Sequence, residues 1–483
     1  MAARRAIRGG PVHRFYSVVV FIVLASLDNV AIGVVPPLLG KIGDDLHVST
    51  VGLGLAVGAS YLVSAVAAVA WAYVGDRRNR KPLLMIGTLI WAAGTAATAA
   101  SGTFAAFVAA QLLAAVGLGA VGSIGFSVVS DLISPRRRGL VMSFWGLSQG
   151  VGTLTGVMLG GLLGRVDWRA PFVLLTGLGV LATVAFLFTY GIRRGQSDPE
   201  LTGMIAAGGE YEYRISRADL PSIAAQRTNV WLVLQGLTAQ VAFGSLIWLP
   251  VLLQRKAEQL GLSADTALAV GAVYATVFQL GGVLSIVGGL LGDRLQRRTP
   301  RGRALVAAVG ILAAIPFYLV LFFMPLRVRV ADNAGGGAVV RAVLASVLTE
   351  PTMAASFLLA LVALALTSAN SPNWYALIVE VNVPEHRGTV YSLGNLVNGV
   401  GRAAGNGLVG VAFRVLQGAF PPPLNYAVGL AIFQVFFVPT GIMYWLASRT
   451  SPRDIARIHR TLRARAALAS EADSEPRASP ARP

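Results

Sequence analysis

No cysteine occurs among the 483 residues, which excludes disulfide frameworks, thiolate metal centres and cysteine nucleophiles. Histidine is scarce too. His13, His47, His386 and His459 lie far apart and offer no metal-ligand spacing. No metal and no cofactor are expected. Charged residues make up 13% of the chain, half of the roughly 25% typical of soluble domains. With a mean hydropathy of +0.66, a soluble enzyme or a disordered chain is a poor reading, and a polytopic membrane protein a good one. A Gly-x4-Gly-Lys-Ser/Thr loop is absent, so a P-loop nucleotide site is not the energy source.

What is present is a series of long apolar runs. A bilayer-spanning helix needs about 20 largely apolar residues. Twelve stretches meet that need: 16–39, 51–74, 82–101, 104–132, 139–164, 169–191, 229–253, 265–291, 303–325, 353–381, 388–416 and 425–447. Runs of this length are too long for barrel strands, and backbone groups in lipid must pair internally, so an all-α membrane protein is expected. The first stretch contains Asp28 and no clear cleavage site follows it; it reads as a retained helix rather than a signal peptide.

The net charge is +18, from 40 Lys+Arg against 22 Asp+Glu, and only Lys41, Lys81 and Lys256 are lysines. The N-terminal tail, the even-numbered loops and the C-terminal tail carry 30 of the basic residues, the odd-numbered loops nine. That asymmetry puts both termini in the cytoplasm of a multi-pass cell-membrane protein. It also accounts for the basic excess without nucleic acid, since no basic cluster has a soluble module behind it.

The chain repeats itself. Ala56-Val57-Gly58-Ala59 returns as Ala269-Val270-Gly271-Ala272, Gly75-Asp76-Arg77 as Gly292-Asp293-Arg294, and Pro135-Arg136-Arg137-Arg138-Gly139 as Pro384-Glu385-His386-Arg387-Gly388. The offsets are 213, 217 and 249; the jump marks an insertion that fits the Gly- and Ala-rich outer loop 326–352. Ser143, Gly150-Val151-Gly152, Gly156 and Gly161 keep the last offset, and Asp131 matches Glu380. Two pseudo-symmetric six-helix bundles follow, 1–191 and 229–448, joined by a cytoplasmic linker at 192–228 and followed by a basic tail at 449–483. Within the tail, 453–467 reads either as a basic interfacial helix or as a solvated segment.

Ala72-Tyr73-Val74-Gly75-Asp76-Arg77-Arg78-Asn79-Arg80-Lys81 and its copy Gly289-Leu290-Leu291-Gly292-Asp293-Arg294-Leu295-Gln296-Arg297-Arg298 resemble the signature loop of the major facilitator superfamily, G-x-L-A-D-R-x-G-R-R/K. Ala72 stands for the first glycine, and Asn79 and Gln296 for the mid-loop glycine. Physically, an acid at a helix end can cap a neighbouring helix or pair with an arginine. Asp76, Arg77, Arg80, Asp131 and Arg138 in the first half, and Asp293, Arg294, Arg297, Glu380 and Arg387 in the second, are therefore candidate gating charges. The other reading is a set of solvated loop charges. Gly152, Gly156, Gly160 and Gly161 partly resemble the antiporter signature of drug exporters, with Val157 and Ser143 departing from it; close helix packing explains them better.

Two ionisable residues fall at membrane depth, where charge is costly and functional by default. Asp28 is a candidate proton carrier, and the repeat places Val241 opposite it. Arg402 has Thr153 as its partner and suits an anionic substrate group or Asp28 itself; a buried structural pair is the plain alternative. Asn29, Gln111, Gln240, Tyr274, Asn370, Asn373, Trp374 and Asn398 complete a candidate substrate and ion-binding set, concentrated in spans 10 and 11. For each alone, interhelical hydrogen bonding is as good an account. Asp28, and the run from Asn373-Trp374-Tyr375 to Pro384-Glu385-His386-Arg387-Gly388, resemble the Spinster-like branch, whose members move lysolipids and sphingolipids. That branch has an Arg after the acid, here Asn29, and an Arg and a Glu in span 4, here Gln111 and Ala120.

The expectation is a monomeric secondary transporter working by alternating access, proton-coupled, with a small-molecule or lipid-like substrate and with membrane lipids as further partners. A Spinster-type lysolipid transporter, a drug exporter and a non-transporting sensor are the alternatives. A membrane enzyme would need a nucleophile–base pair or a metal constellation that the sequence does not offer.

Overall fold

A computed structural model describes residues 11–48, 50–132, 138–163, 167–189, 199–201, 213, 215–216, 218–332 and 334–474. Most of the linker, the Pro135-Arg136-Arg137 segment and the last nine residues lie outside the described part. Among the described residues the fold is helical and contains no strand. The N-terminal half gives α1 (Pro11–Leu46), α2 (Thr50–Arg77), α3 (Arg80–Ala99), α4 (Phe104–Leu132), α5 (Arg138–Leu163) and α6 (Ala170–Leu187). A short α7 (Asp219–Ala225) ends the linker. Then come α8 (Arg227–Ser245), α9 (Leu249–Glu258), α10 (Ala264–Phe278), α11 (Ser285–Gln296), α12 (Gly302–Phe323) and α13 (Gly336–Thr349). The last five are α14 (Pro351–Ser368), α15 (Asn370–Glu380), α16 (Arg387–Leu416), α17 (Leu424–Gln434) and α18 (Phe437–Ser474).

Ten helical spans among the described residues are long and apolar enough to cross a membrane. The remaining two expected stretches form α5 and α16, of 26 and 30 residues. Glycine and polar residues dilute the hydropathy of both. Spans 7 and 8 are interrupted by 3-10 turns, Leu246–Trp248 ahead of Pro250 and Gln279–Leu284 around Gly281. Tight 3-10 turns commonly mark such breaks. The insertion expected at 326–352 folds into α13, which buries Val339, Val343 and Ser346.

By mutual contacts the chain divides into two compact units. One joins Met1–Asn229 with Ala376–Leu393 and Thr450–Pro483; the other joins Val230–Tyr375 with Gly394–Arg449. In the first, α1 lies against α5 and α3 lies between α4 and α6, around a core of Val34, Leu38, Phe107, Trp168 and Phe172. In the second, α9 packs on α10 and α12 on α14, around Tyr274, Phe278, Ile311, Phe322 and Phe437.

Small polar devices fix the helix ends. Asn79, in place of the signature glycine, accepts the Lys81 N–H at 3.2 Å as the N-cap of α3. Gln296, the same departure in the second copy, accepts the Arg303 N–H at 3.1 Å at the start of α12. Both substitutions thus satisfy an orphan donor of the following helix. Two of the three lysines close helix C-termini. Lys81 Nζ donates to the Leu187 and Thr189 carbonyls, and Lys256 Nζ to those of Phe322 and Met324. A cation suits the negative end of a helix.

The tail is helical throughout 453–467, and one of its faces is taken up by protein. Residues 453–467 continue α18, and the apolar side chains that would have entered lipid are covered by protein: Ile458 and Leu462 pack with Leu201 and Val383.

Candidate functional site

The first unit gathers a charge cluster at the end of α4. Asp131 is fully buried and carries a full set of partners. Arg80 Nη2 lies 2.6 Å from one carboxylate oxygen and Arg387 Nη1 2.8 Å from the other, with both arginines nearly inaccessible. Arg80 also donates to the Ser127 hydroxyl at 2.8 Å. The Nε of Arg387 donates to the Val379 and Asn382 carbonyls, which fixes the guanidinium against its own loop. A charge buried this deeply persists only when paired and hydrogen-bonded. Beside it, Asp76 accepts the backbone N–H and the hydroxyl of Thr389, both at 2.9 Å, in the first turn of α16. The carboxylate thereby caps a helix N-terminus.

The copy in the second unit is wired differently. Asp293 pairs with Arg303 at 2.7 Å, both buried. Sequence reasoning chose Arg297, the formal copy of Arg80, which is exposed along with Arg294. Arg303 opens α12 as Arg80 opens α3, and that helix-start position was the available signal. Glu380, the copy of Asp131, is half-buried. Arg77 leans on the Tyr73 ring at 5.4 Å. Arg138 begins α5, and its side chain lies outside the described part.

The glycine rows of α5 and α16 perform one packing task in each unit. A Cβ on Gly152 would fall on the Ser26 carbonyl, and one on Gly156 on the Val30 carbonyl; Gly401 and Gly405 meet the Leu237 and Val241 carbonyls in the same way. These close backbone approaches support the packing reading. They also correct the repeat register. Ser26 aligns with Leu237 and Val30 with Val241, so Asp28 aligns with Ala239 rather than Val241, and Asn29 aligns with Gln240.

That alignment sharpens the intramembrane pair. Asp28, half-buried on α1, accepts the Asn29 side-chain amide. Arg402, exposed on α16, donates its Nε to the Gln240 side chain at 3.1 Å. Each unit therefore holds one charge beside an amide at matched positions, of opposite sign. Asn398, one turn before Arg402, is half-buried near Asn395 at 3.5 Å.

The other expected ligand groups make hydrogen bonds within the helix packing, although the Asn373 side-chain oxygen is buried without a hydrogen-bond partner among the described residues. Asn373 is buried and donates to the Gly288 and Ala369 carbonyls. Trp374 donates to the Leu232 carbonyl at 2.8 Å, and Asn370 accepts the Tyr444 hydroxyl. Tyr274 is sealed against Ser346 of α13. Gln111 bridges to Thr98 at 3.2 Å. In sequence, a helix–helix hydrogen bond and a ligand contact look alike.

The comparisons agree with this architecture. The Major Facilitator Superfamily model matches residues 19–406. The chain is 28% identical over 275 residues to the sphingosine-1-phosphate transporter SPNS2 of Danio rerio, covering 53% of this chain and 52% of that protein. It is 26% identical over 267 residues to protein spinster homolog 3 of Danio rerio, covering 51% of each. The chain thus spans about half the length of these curated relatives. Among solved structures, a bacterial homolog of the human lysosomal transporter Spinster gives a TM-score of 0.56 at 20% identity, over 92% of this chain and 99% of that one. The transporter FucP in an outward conformation gives 0.60 at 17% identity, over 90% and 99%. This multi-pass helical membrane protein belongs to the Major Facilitator Superfamily and resembles its Spinster-like branch.

Proposed function

We propose that the chain is a secondary transporter, not an enzyme, that moves a small amphiphilic solute across the cell membrane by alternating access. Both termini lie in the cytoplasm and the monomer is the working unit. The observation that carries the reading is the Asp131 carboxylate held between Arg80, of the first sequence half, and Arg387, of the second. Such a pair of buried ion pairs is stable only when complete. It therefore acts as a two-state latch: closed, it fixes the loop before α16; opened to water, each charge is solvated separately.

Arg402, with an exposed guanidinium and a Gln240 partner, suits the anionic head of a lipid-like substrate. Asp28 is the coupling acid, an intramembrane carboxyl that takes up and releases a proton. The activity that the SPNS2 relative is named for, sphingosine-1-phosphate transport, supports the amphiphile class.

The test is flux into proteoliposomes with an imposed pH gradient, using a fluorescent lysophospholipid. Wild type accumulates the probe. Asp28→Asn keeps exchange but loses gradient-driven accumulation, and Arg402→Ala loses the anionic probe while sparing a zwitterionic one. Binding without any flux would make the protein a sensor. Accumulation retained by Asp28→Asn would remove Asp28 from the coupling.

A further inference from the structure

α18 presents two unlike faces beyond the membrane. One is used: Ile455, Ile458 and Leu462 are buried, and the last two touch Val383 and Leu201. Val383 lies three residues past Glu380, where the span Pro351–Glu380 ends. Ile458 and Leu462 are therefore held close to the membrane end of that span, instead of projecting far from the bilayer. Asp454 is also on this side, 7% exposed, accepting the hydroxyl and N–H of Thr228.

The opposite face is a row of arginines. Val438, Ile442 and Trp445 form an exposed apolar stripe at helical spacing. The same spacing continues through Arg449, Arg453, Arg457, Arg460 and Arg463, all exposed. Arg449 stacks on Trp445 at 3.6 Å, joining the two stripes. An open groove of about 450 Å³ runs along Pro452, Arg453, Asp454, Ala456, Arg457 and Arg460, so one acid lines it with three arginines. Asp454 is the sole acid between Arg449 and Arg463; it lies 3.9 Å from Arg457, which stays 60% exposed.

We propose that the arginine face of α18 from Arg449 to Arg463 binds the headgroups of anionic phospholipids at the membrane surface where the tail lies. Trp445 is the interfacial anchor, a role suited to an amphipathic ring at headgroup depth. The arginines continue from it along the surface, and planar guanidinium groups pair bidentately with phosphate. A basic run immediately beyond a membrane helix is the pattern that attracts anionic lipid. The buried face supplies what a solvated tail lacks, a rigid mount that holds the five charges in one row. The inference rests on the membrane-spanning fold and does not depend on transport.

The experiment is native mass spectrometry of the full-length chain in a neutral detergent, titrated with phosphatidylglycerol or phosphatidylcholine. Wild type binds phosphatidylglycerol about tenfold tighter, and the preference shrinks with salt. The triple variant Arg453→Gln/Arg457→Gln/Arg460→Gln loses the preference, whereas Arg78→Gln/Arg298→Gln/Arg301→Gln, equal in charge, keeps it. Equal loss in both triples, or no preference in wild type, overturns the proposal. Full displacement by inorganic phosphate also overturns it, in favour of a free-anion site. Should the triple variant fail to fold, Arg453→Gln and Arg460→Gln singly weaken phosphatidylglycerol binding by roughly twofold each; no change in either is equally fatal.

Discussion

The end of α2 and the end of α11 carry the same Gly-Asp-Arg, but their aspartates meet different partners. Asp76 caps the first turn of α16, while Asp293 closes on Arg303 within 2.7 Å. The arginines that open α3 and α12 diverge in step. Arg80 reaches past its loop to Asp131 on α4, and Arg303 turns back to its own loop. An ancestral pattern of acid and base is thus read in two ways. In the first unit the loop reaches outward, to α4 and to the segment around Arg387. In the second it braces itself. The latch proposed above therefore draws its acid from one copy of the repeat and one of its two bases from the other.

Replacing Asp131 tests that asymmetry most severely. Asp131→Asn strands two buried guanidinium groups, a loss on the order of 3–5 kcal/mol for a broken buried pair. Glu380→Gln at the matching position changes a half-buried group and costs well under half as much. Thermal unfolding in detergent, followed by tryptophan fluorescence, measures both. Similar losses would mean that the two copies carry equivalent latches and that the comparison is wrong.

The second contrast is between the aspartates themselves. Asp293→Asn leaves Arg303 buried without its counter-ion and is expected to cost about 3 kcal/mol or more. Asp76→Asn keeps a side chain that still accepts the Thr389 N–H, so the capping part of its loss stays near the roughly 1 kcal/mol scale of a helix cap. The same melting series ranks them. An Asp76 variant as damaging as the Asp293 variant would give Asp76 a buried charge role beyond capping.

Much of this was legible in sequence, for identifiable reasons. Long apolar runs and a repeated Gly-Asp-Arg survive any detail of packing, so the helical class and the duplication could be read directly. The two options for the loop acids, cap or ion pair, were also visible: Asp76 caps α16, and Asp293 pairs with Arg303. Which copy takes which could not be read, because Arg303 lies six residues beyond the formal copy of Arg80. The span 10 cluster is ambiguous in a different way. Asn373 and Trp374 carry donors and acceptors that suit a solute, but backbone carbonyls at Gly288 and Leu232 were equally available, and composition does not rank them. The register of Asp28 shifted by two residues because the offset drifts along the chain, and only the glycine–carbonyl contacts of α5 and α16 fix it.

The smallest effect separates the two Pro-x-x-Arg-Gly segments. At the position of Arg137 in the first copy the second has His386, so only the second can titrate near neutrality. Burial pushes the His386 imidazole below its ordinary value, against the opposing pull of Glu385 and Asp219 and with help from Arg465. The carboxylate of Asp219 lies 3.8 Å away. A histidine whose folded pKa is depressed binds fewer protons in the folded state than in the unfolded one. Stability is therefore flat above the unfolded value of about 6.5 and falls as pH drops from there toward the folded value. Melting temperature should decline across that window in wild type, and the decline should be shallower in His386→Gln, with the curves converging at higher pH. If the two curves stay parallel, the imidazole contributes nothing to the pH response, and the distinction between the two segments reduces to the placement of Arg387 alone.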